Sequence, residues 1–131
     1  VCPSAPLATA THLIGLVRPD GRVAFISPPL EVTDEVVAAA SDGPTPETRL
    51  RFAGPCLEGR CAQWTGSRCS VADAVVDELA HVVAAEGRDR GPLRPCALRR
   101  SCRWFDQRGA AACRACPLVV TDTRLSPAQP A

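Results

Sequence analysis

Residues 94–120, RPCALRRSCRWFDQRGAAACRACPLVV, hold Cys96, Cys102, Cys113 and Cys116 among six arginines and one tryptophan. The use of those thiols decides the fold, because little else in the chain can hold it together. Of 131 residues only 31 are Leu, Ile, Val, Phe or Trp, while 21 are Ala. That is a thin supply for a hydrophobic core at this length, so support that does not depend on apolar area is expected, and eight cysteines can provide it. Three uses compete: disulfides, a zinc site, or an iron-sulfur cluster.

Compartment bears on that choice. Residues 1–17 carry no charge ahead of their weakly apolar run, so the basic start of a secretory leader is missing. No run of 18 apolar residues occurs, so no membrane span or membrane partner is expected. The expected location is the cytoplasm, where thiols stay reduced and eight cysteines favour metal over structural disulfides.

Spacing separates the metals. Structural zinc sites pair two tight knuckles of Cys-x2-4-Cys around one tetrahedral ion. Here only Cys113-Arg-Ala-Cys116 has the two-residue spacing, with Cys56-x4-Cys61 and Cys96-x5-Cys102 looser. A [4Fe-4S] cluster offers four separated iron corners and accepts such irregular spacing. Cys116 is followed by Pro117, and Cys-x-x-Cys-Pro resembles the end of the bacterial ferredoxin cluster motif. The likeness covers five residues and carries neither the ferredoxin fold nor its paired clusters.

Cys96, Cys102, Cys113 and Cys116 make one complete ligand set within 21 residues, the shortest loop closure on offer. Cys56, Cys61 and Cys69 make three ligands of a second, whose fourth would be Cys2, His12, His81, a small molecule or nothing. Cys2 is the preferred closing ligand. The expectation is thus one or two [4Fe-4S] clusters, with zinc as the alternative.

The two cysteine groups echo one another. Pro55-Cys56, Cys61, Trp64 and Cys69 match Pro95-Cys96, Cys102, Trp104 and Cys113, with Trp eight residues after the first Cys in both. A duplication would produce this. So would two tryptophans that each shield a site from water.

Outside the cysteines the pattern is that of a small α+β domain. Residues 12–27 read as two strands joined at Pro19-Asp20-Gly21, a turn sequence, with Pro28 and Pro29 stopping the second strand. Thr33 stands as the N-cap of a short helix to about Ala40, with Asp34 and Glu35 in its first turn. Residues 41–48 read as a loop. Residues 70–87 are the one long helix, with Ser70 and Asp73 as a capping box, Ala72, Val75, Val76, Leu79, Val82 and Val83 on one face, and Gly87 at its end. Residues 117–122 are β-branched and are expected to add a third strand to the hairpin. The organisation is one domain over 1–131, divided into a hairpin-helix module at 1–48, a cysteine-rich module at 49–122 and a tail at 123–131.

His81 lies four residues after Asp77, the spacing of an exposed helical pair, and His12 opens the first strand. No nucleophile triad or phosphate loop can be assembled, and the chain offers no assigned catalytic residue. Residues 94–116 carry six arginines against Asp106 alone, in a chain of net charge +1. Arg99, Arg100 and Arg103 would share one side of a helix over residues 97–107. Such charge suits the burial of an anionic cluster, docking on a protein partner, or contact with nucleic acid. The favoured reading is an electron-transfer protein or accessory subunit of a larger redox or biosynthetic enzyme. A cluster-based redox sensor on nucleic acid comes second, and a zinc-stabilised interaction module third.

Overall fold

The computed structural model describes residues 1–121 and is an α+β domain, a four-stranded antiparallel sheet with helices. β1 (Cys2–Ala5), β2 (His12–Val17), β3 (Val23–Glu31) and β4 (Leu50–Gly54) lie in the order β1-β4-β2-β3. The expected hairpin is β2 and β3, paired Gly15 to Phe25 and Val17 to Val23. Its turn closes with the Gly21 N–H on the Arg18 carbonyl at 2.9 Å and Gly21 at φ +81°.

Two strand expectations are corrected. Pro28 and Pro29 do not stop β3, which runs on to Glu31 across a cis Ser27–Pro28 bond. β3 is an edge strand, where a missing N–H is tolerated, and the prolines fall where the register shifts opposite Leu13 and Gly15. Residues 117–121 form no strand: Cys116–Leu118 is a 3-10 turn and Val120 is exposed. The place beside β2 belongs to β4, whose Phe52 and Ala53 are fully buried. The carbonyls of Cys116 and Val119 are taken by the Arg51 side chain instead of a strand ladder.

The helices are α1 (Asp34–Ser41), α2 (Pro46–Arg49), α3 (Ser70–Ala85), α4 (Arg103–Arg108) and α5 (Ala110–Ala115). Thr33 caps α1 by accepting the Val36 N–H at 3.3 Å, as its sequence predicts. α2 lies inside the expected loop at 41–48 and passes beyond it. In α3 the cap sits one residue earlier than expected: Cys69, not Ser70, is the N-cap, its Sγ accepting the Ala72 N–H at 3.4 Å. Asp73 turns instead to Arg68, at 2.7 Å, and Arg108, at 3.2 Å. Asp77 pairs with Arg108 at 2.8 Å, in place of the expected His81. At the other end Gly87, φ +69°, lets the Arg88 N–H reach back to the Val83 carbonyl at 2.8 Å.

The expected helix over 97–107 is broken. Arg99–Ser101 is a 3-10 turn, Cys102 is extended, and α4 starts afterwards. The core is small, as composition requires: Ala72, Val75, Val76 and Val83 of α3 pack with Trp104, Ala112, Ala115 and Cys116. Phe25 reaches this cluster from the sheet, while Cys69 and Cys102 border it. Thiols therefore sit where a larger domain would place aliphatic side chains. Among the described residues no helix is long and apolar enough to cross a membrane. Residues 123–131 of the expected tail lie outside those described.

Candidate metal centre

The two Pro-Cys motifs fold alike. After Cys56 the chain forms a 3-10 turn, Glu58–Arg60, and after Cys96 another, Arg99–Ser101, each delivering the next cysteine, Cys61 or Cys102, in an extended conformation. Leu57 and Leu98, in the αR region, begin the two turns. Each turn thus carries a pair of thiols on a short, tightly bonded loop. The copies then diverge: Trp64 makes an isolated β-bridge to Cys69, whereas Trp104 is buried in α4.

None of the eight cysteines is in a disulfide. Cys96, Cys102, Cys113 and Cys116 all line one cavity of about 620 Å³, together with Ile14, Phe25, Trp104 and Phe105. α5 presents Cys113 and leads into the turn holding Cys116, while Cys96 and Cys102 flank the other 3-10 turn. Burial is the main cause that pushes the Cys102 thiol upward; Cys116 and Cys113 add to the rise, and backbone N–H groups oppose it. Arg99 Nε donates to Cys113 Sγ at 3.4 Å. Arg94 also lines the cavity, stacked on Phe25 with its guanidinium carbon 3.5 Å from the ring centroid. The Arg94 Nε is buried with no hydrogen-bond partner among the described residues.

The second group is assembled from distant segments. Burial pushes the Cys2 thiol up to about 11; Cys69 and Cys56 act in the same direction, while the Ser4 backbone and Arg51 oppose them. The Cys61 thiol is raised mainly by burial, with Cys69 and Cys56 again contributing. Cys2 therefore shares its surroundings with Cys69 and Cys56, and it is no loose end. It stands in β1 opposite Gly54, and the preceding Val1 carbonyl accepts the Arg103 N–H at 2.8 Å. Cys69 is fixed from both sides by Gln107, whose Oε1 accepts the Cys69 N–H at 2.9 Å and whose Nε2 donates to the Cys69 carbonyl at 2.8 Å. Of the other candidates for the fourth position, His12 Nδ1 is 3.1 Å from Thr11 Oγ1 and His81 is exposed on α3.

Arg51, which sequence reasoning passed over, lies between the groups. It is fully buried at 0 % exposure. Nε donates to the Pro3 carbonyl at 2.6 Å, Nη1 to the carbonyls of Cys116 at 2.8 Å and Val119 at 2.9 Å, and Nη2 to Cys116 Sγ at 3.1 Å. Its guanidinium also lies 5.4 Å from the Trp104 ring. Arg103 similarly covers Trp64 at 4.9 Å and reaches Glu58 at 3.3 Å. Each tryptophan is thus faced by an arginine. No local signal marks Arg51 within LRFAG, because its burial is set by partners far along the chain.

Among the described residues no group of three or more His, Cys, Asp or Glu side chains is arranged to hold a metal ion as it stands. The donor chemistry nevertheless fits an anionic cluster. Thiols supply soft ligands, and arginines aimed at Cys113 and Cys116 supply compensating charge. The unpartnered Arg94 Nε at the cavity is a further donor with no acceptor. No protein-family model, curated protein or solved structure matches this chain.

Proposed function

We propose that the protein holds two [4Fe-4S] clusters, one on Cys96, Cys102, Cys113 and Cys116 and the other on Cys2, Cys56, Cys61 and Cys69, and serves electron transfer as a small partner of a larger redox or biosynthetic enzyme. The observation that carries this reading is the thiol-lined cavity with Arg94 and Arg99 in its wall and Arg51 donating to the sulfur of Cys116, three cations that pair with no carboxylate among the described residues. Such groups favour a negatively charged occupant. A single zinc would require four sulfurs within about 2.3 Å of one point, whereas the first four thiols line a cavity of about 620 Å³ shared with apolar side chains.

Bound clusters would supply one-electron chemistry. The chain's own residues bind them through thiolates, exclude water with Trp104, Phe105 and Phe25, and balance charge with arginine. Metal binding must displace the protons that burial holds on Cys2, Cys61 and Cys102. Docking on a protein is preferred over nucleic acid, because two of the three arginines expected on one helix are engaged. Arg99 binds the Arg94 carbonyl at 2.6 Å and Arg103 pairs with Glu58, leaving Arg100 as the exposed member.

The test is anaerobic purification with iron, labile sulfide and zinc assayed together. Iron and sulfide in equal amounts, near eight per chain in a brown protein, support the proposal. Stoichiometric zinc without sulfide overturns it in favour of an interaction module. Salt-dependent retention of nucleic acid by the iron-loaded protein would move the assignment to a redox sensor.

A further inference from the structure

Arg51 is the largest charged side chain enclosed by the fold, and no carboxylate pairs with it among the described residues. A guanidinium stays protonated at any accessible pH, and burying it without a counter-charge is strongly unfavourable. The carbonyls of Pro3, Cys116 and Val119 satisfy its N–H groups but bring no net charge. The remaining polar contact is sulfur, Cys116 Sγ at 3.1 Å. On the other side, Nε holds the carbonyl of the residue immediately after Cys2. A purely structural clamp between β1, β4 and the turn at Cys116 would need the carbonyl bonds alone. The sulfur contact and the position beside both thiol groups go beyond that need.

We infer that Arg51 is the shared counter-cation of the two thiolate sets, placing one positive charge between them and raising the reduction potential of both, most of all that of the set built on Cys116. This rests on the two-cluster reading. Removing a fixed cation from low-dielectric surroundings disfavours adding an electron nearby, since Coulomb interactions are weakly screened there. The effect is electrostatic and acts on each site whether or not electrons pass between them.

The experiment uses the full chain, loaded anaerobically, in wild-type, Arg51→Gln and Arg51→Lys forms. Iron and sulfide are assayed first, then potentials by dye-mediated titration followed by electron paramagnetic resonance. Signals are assigned from Cys2→Ser and Cys113→Ser proteins. Both potentials should fall in Arg51→Gln, the Cys116 set further, with Arg51→Lys between it and wild type. Fully loaded Arg51→Gln protein with both potentials unmoved overturns the inference, as does a shift at one set only. Should Arg51→Gln fail to fold, wild-type protein labelled with nitrogen-15 arginine provides the second measurement. A guanidinium coupling to the reduced Cys116 set should survive in Arg99→Lys, which removes the donor to Cys113 Sγ, and vanish when Arg51→Lys is added; its persistence in that double variant overturns the assignment. Wild-type protein without iron and sulfide is a separate result that removes the cluster reading itself.

Discussion

Cys2 stands directly opposite Gly54 across the β1–β4 pair. A Cβ added at Gly54 would lie 2.5 Å from the Thr9 carbonyl oxygen and 3.2 Å from the Ala5 Cβ, so backbone and not a flexible side chain would have to yield. Gly54→Ala is expected to destabilise the fold by about 1–3 kcal/mol, measured by urea denaturation. It should also lower iron at the Cys2 set while sparing the Cys96 set. Full iron with unaltered stability would contradict the close approach of β1.

Single ligand removals follow from the two groups. Cys113→Ser and Cys2→Ser should each lose about half of the iron, from different spectral components, because each breaks one set of four thiolates. Iron content unchanged in Cys113→Ser would sink the first site. An unchanged cluster spectrum and potential in Cys2→Ser would show that the second group is closed by something else.

Each tryptophan should report on its own group. Trp104 lines the cavity with Cys96, Cys102, Cys113 and Cys116, while Trp64 is bridged to Cys69. Cluster loading should quench the fluorescence of both. In Trp104→Phe the remaining emission should lose its response in a Cys2→Ser background, and in Trp64→Phe the response should persist there. Equal responses in the two double variants would refute this division.

The salt bridge between Arg22 and Glu86 ties the strand hairpin to the end of α3. Hydrogen bonds from Arg22 and Arg88 hold the Glu86 carboxyl below its ordinary value of 4.5. A depressed carboxylate contributes stability above its unfolded pKa and loses it as pH falls through the folded value. Acid titration of stability should therefore steepen below about pH 4.5 in wild type and be shallower in Glu86→Gln. Parallel curves for the two proteins would discount the contact. Both side chains are 30 % exposed, so added salt should reduce the difference.

What could be read locally was read from local physics. Thr33 caps α1 through bonds three residues away, the apolar face of α3 repeats at helical spacing, and the β2–β3 turn is written in its proline and glycine. β1 and β4 escaped notice because neither has a local signature. CPSA contains a proline, and LRFAG has an arginine in the position of a core residue. The burial of Arg51 makes sense only once carbonyls 48 and 65 residues away are in place. The strand expected at 117–122 failed for the same reason, since a distant side chain had claimed its acceptors. Cys96, Cys102, Cys113 and Cys116 are close in sequence and all line the one cavity; the burial of Cys2 depends on the whole sheet.

The grip of Gln107 on Cys69 makes the two halves of the cysteine-rich region a single mechanism of levers. A carboxamide gives and takes on one rigid plane, so it can hold the N–H and the carbonyl of one residue as a neighbouring strand would. Glutamate could only take and lysine only give. Gln107 rides on α4, which begins where Cys102 ends, while Cys69 is the pivot from which α3 departs. The orientation of α4 is thereby tied, through two hydrogen bonds, to the backbone of a cysteine in the other group.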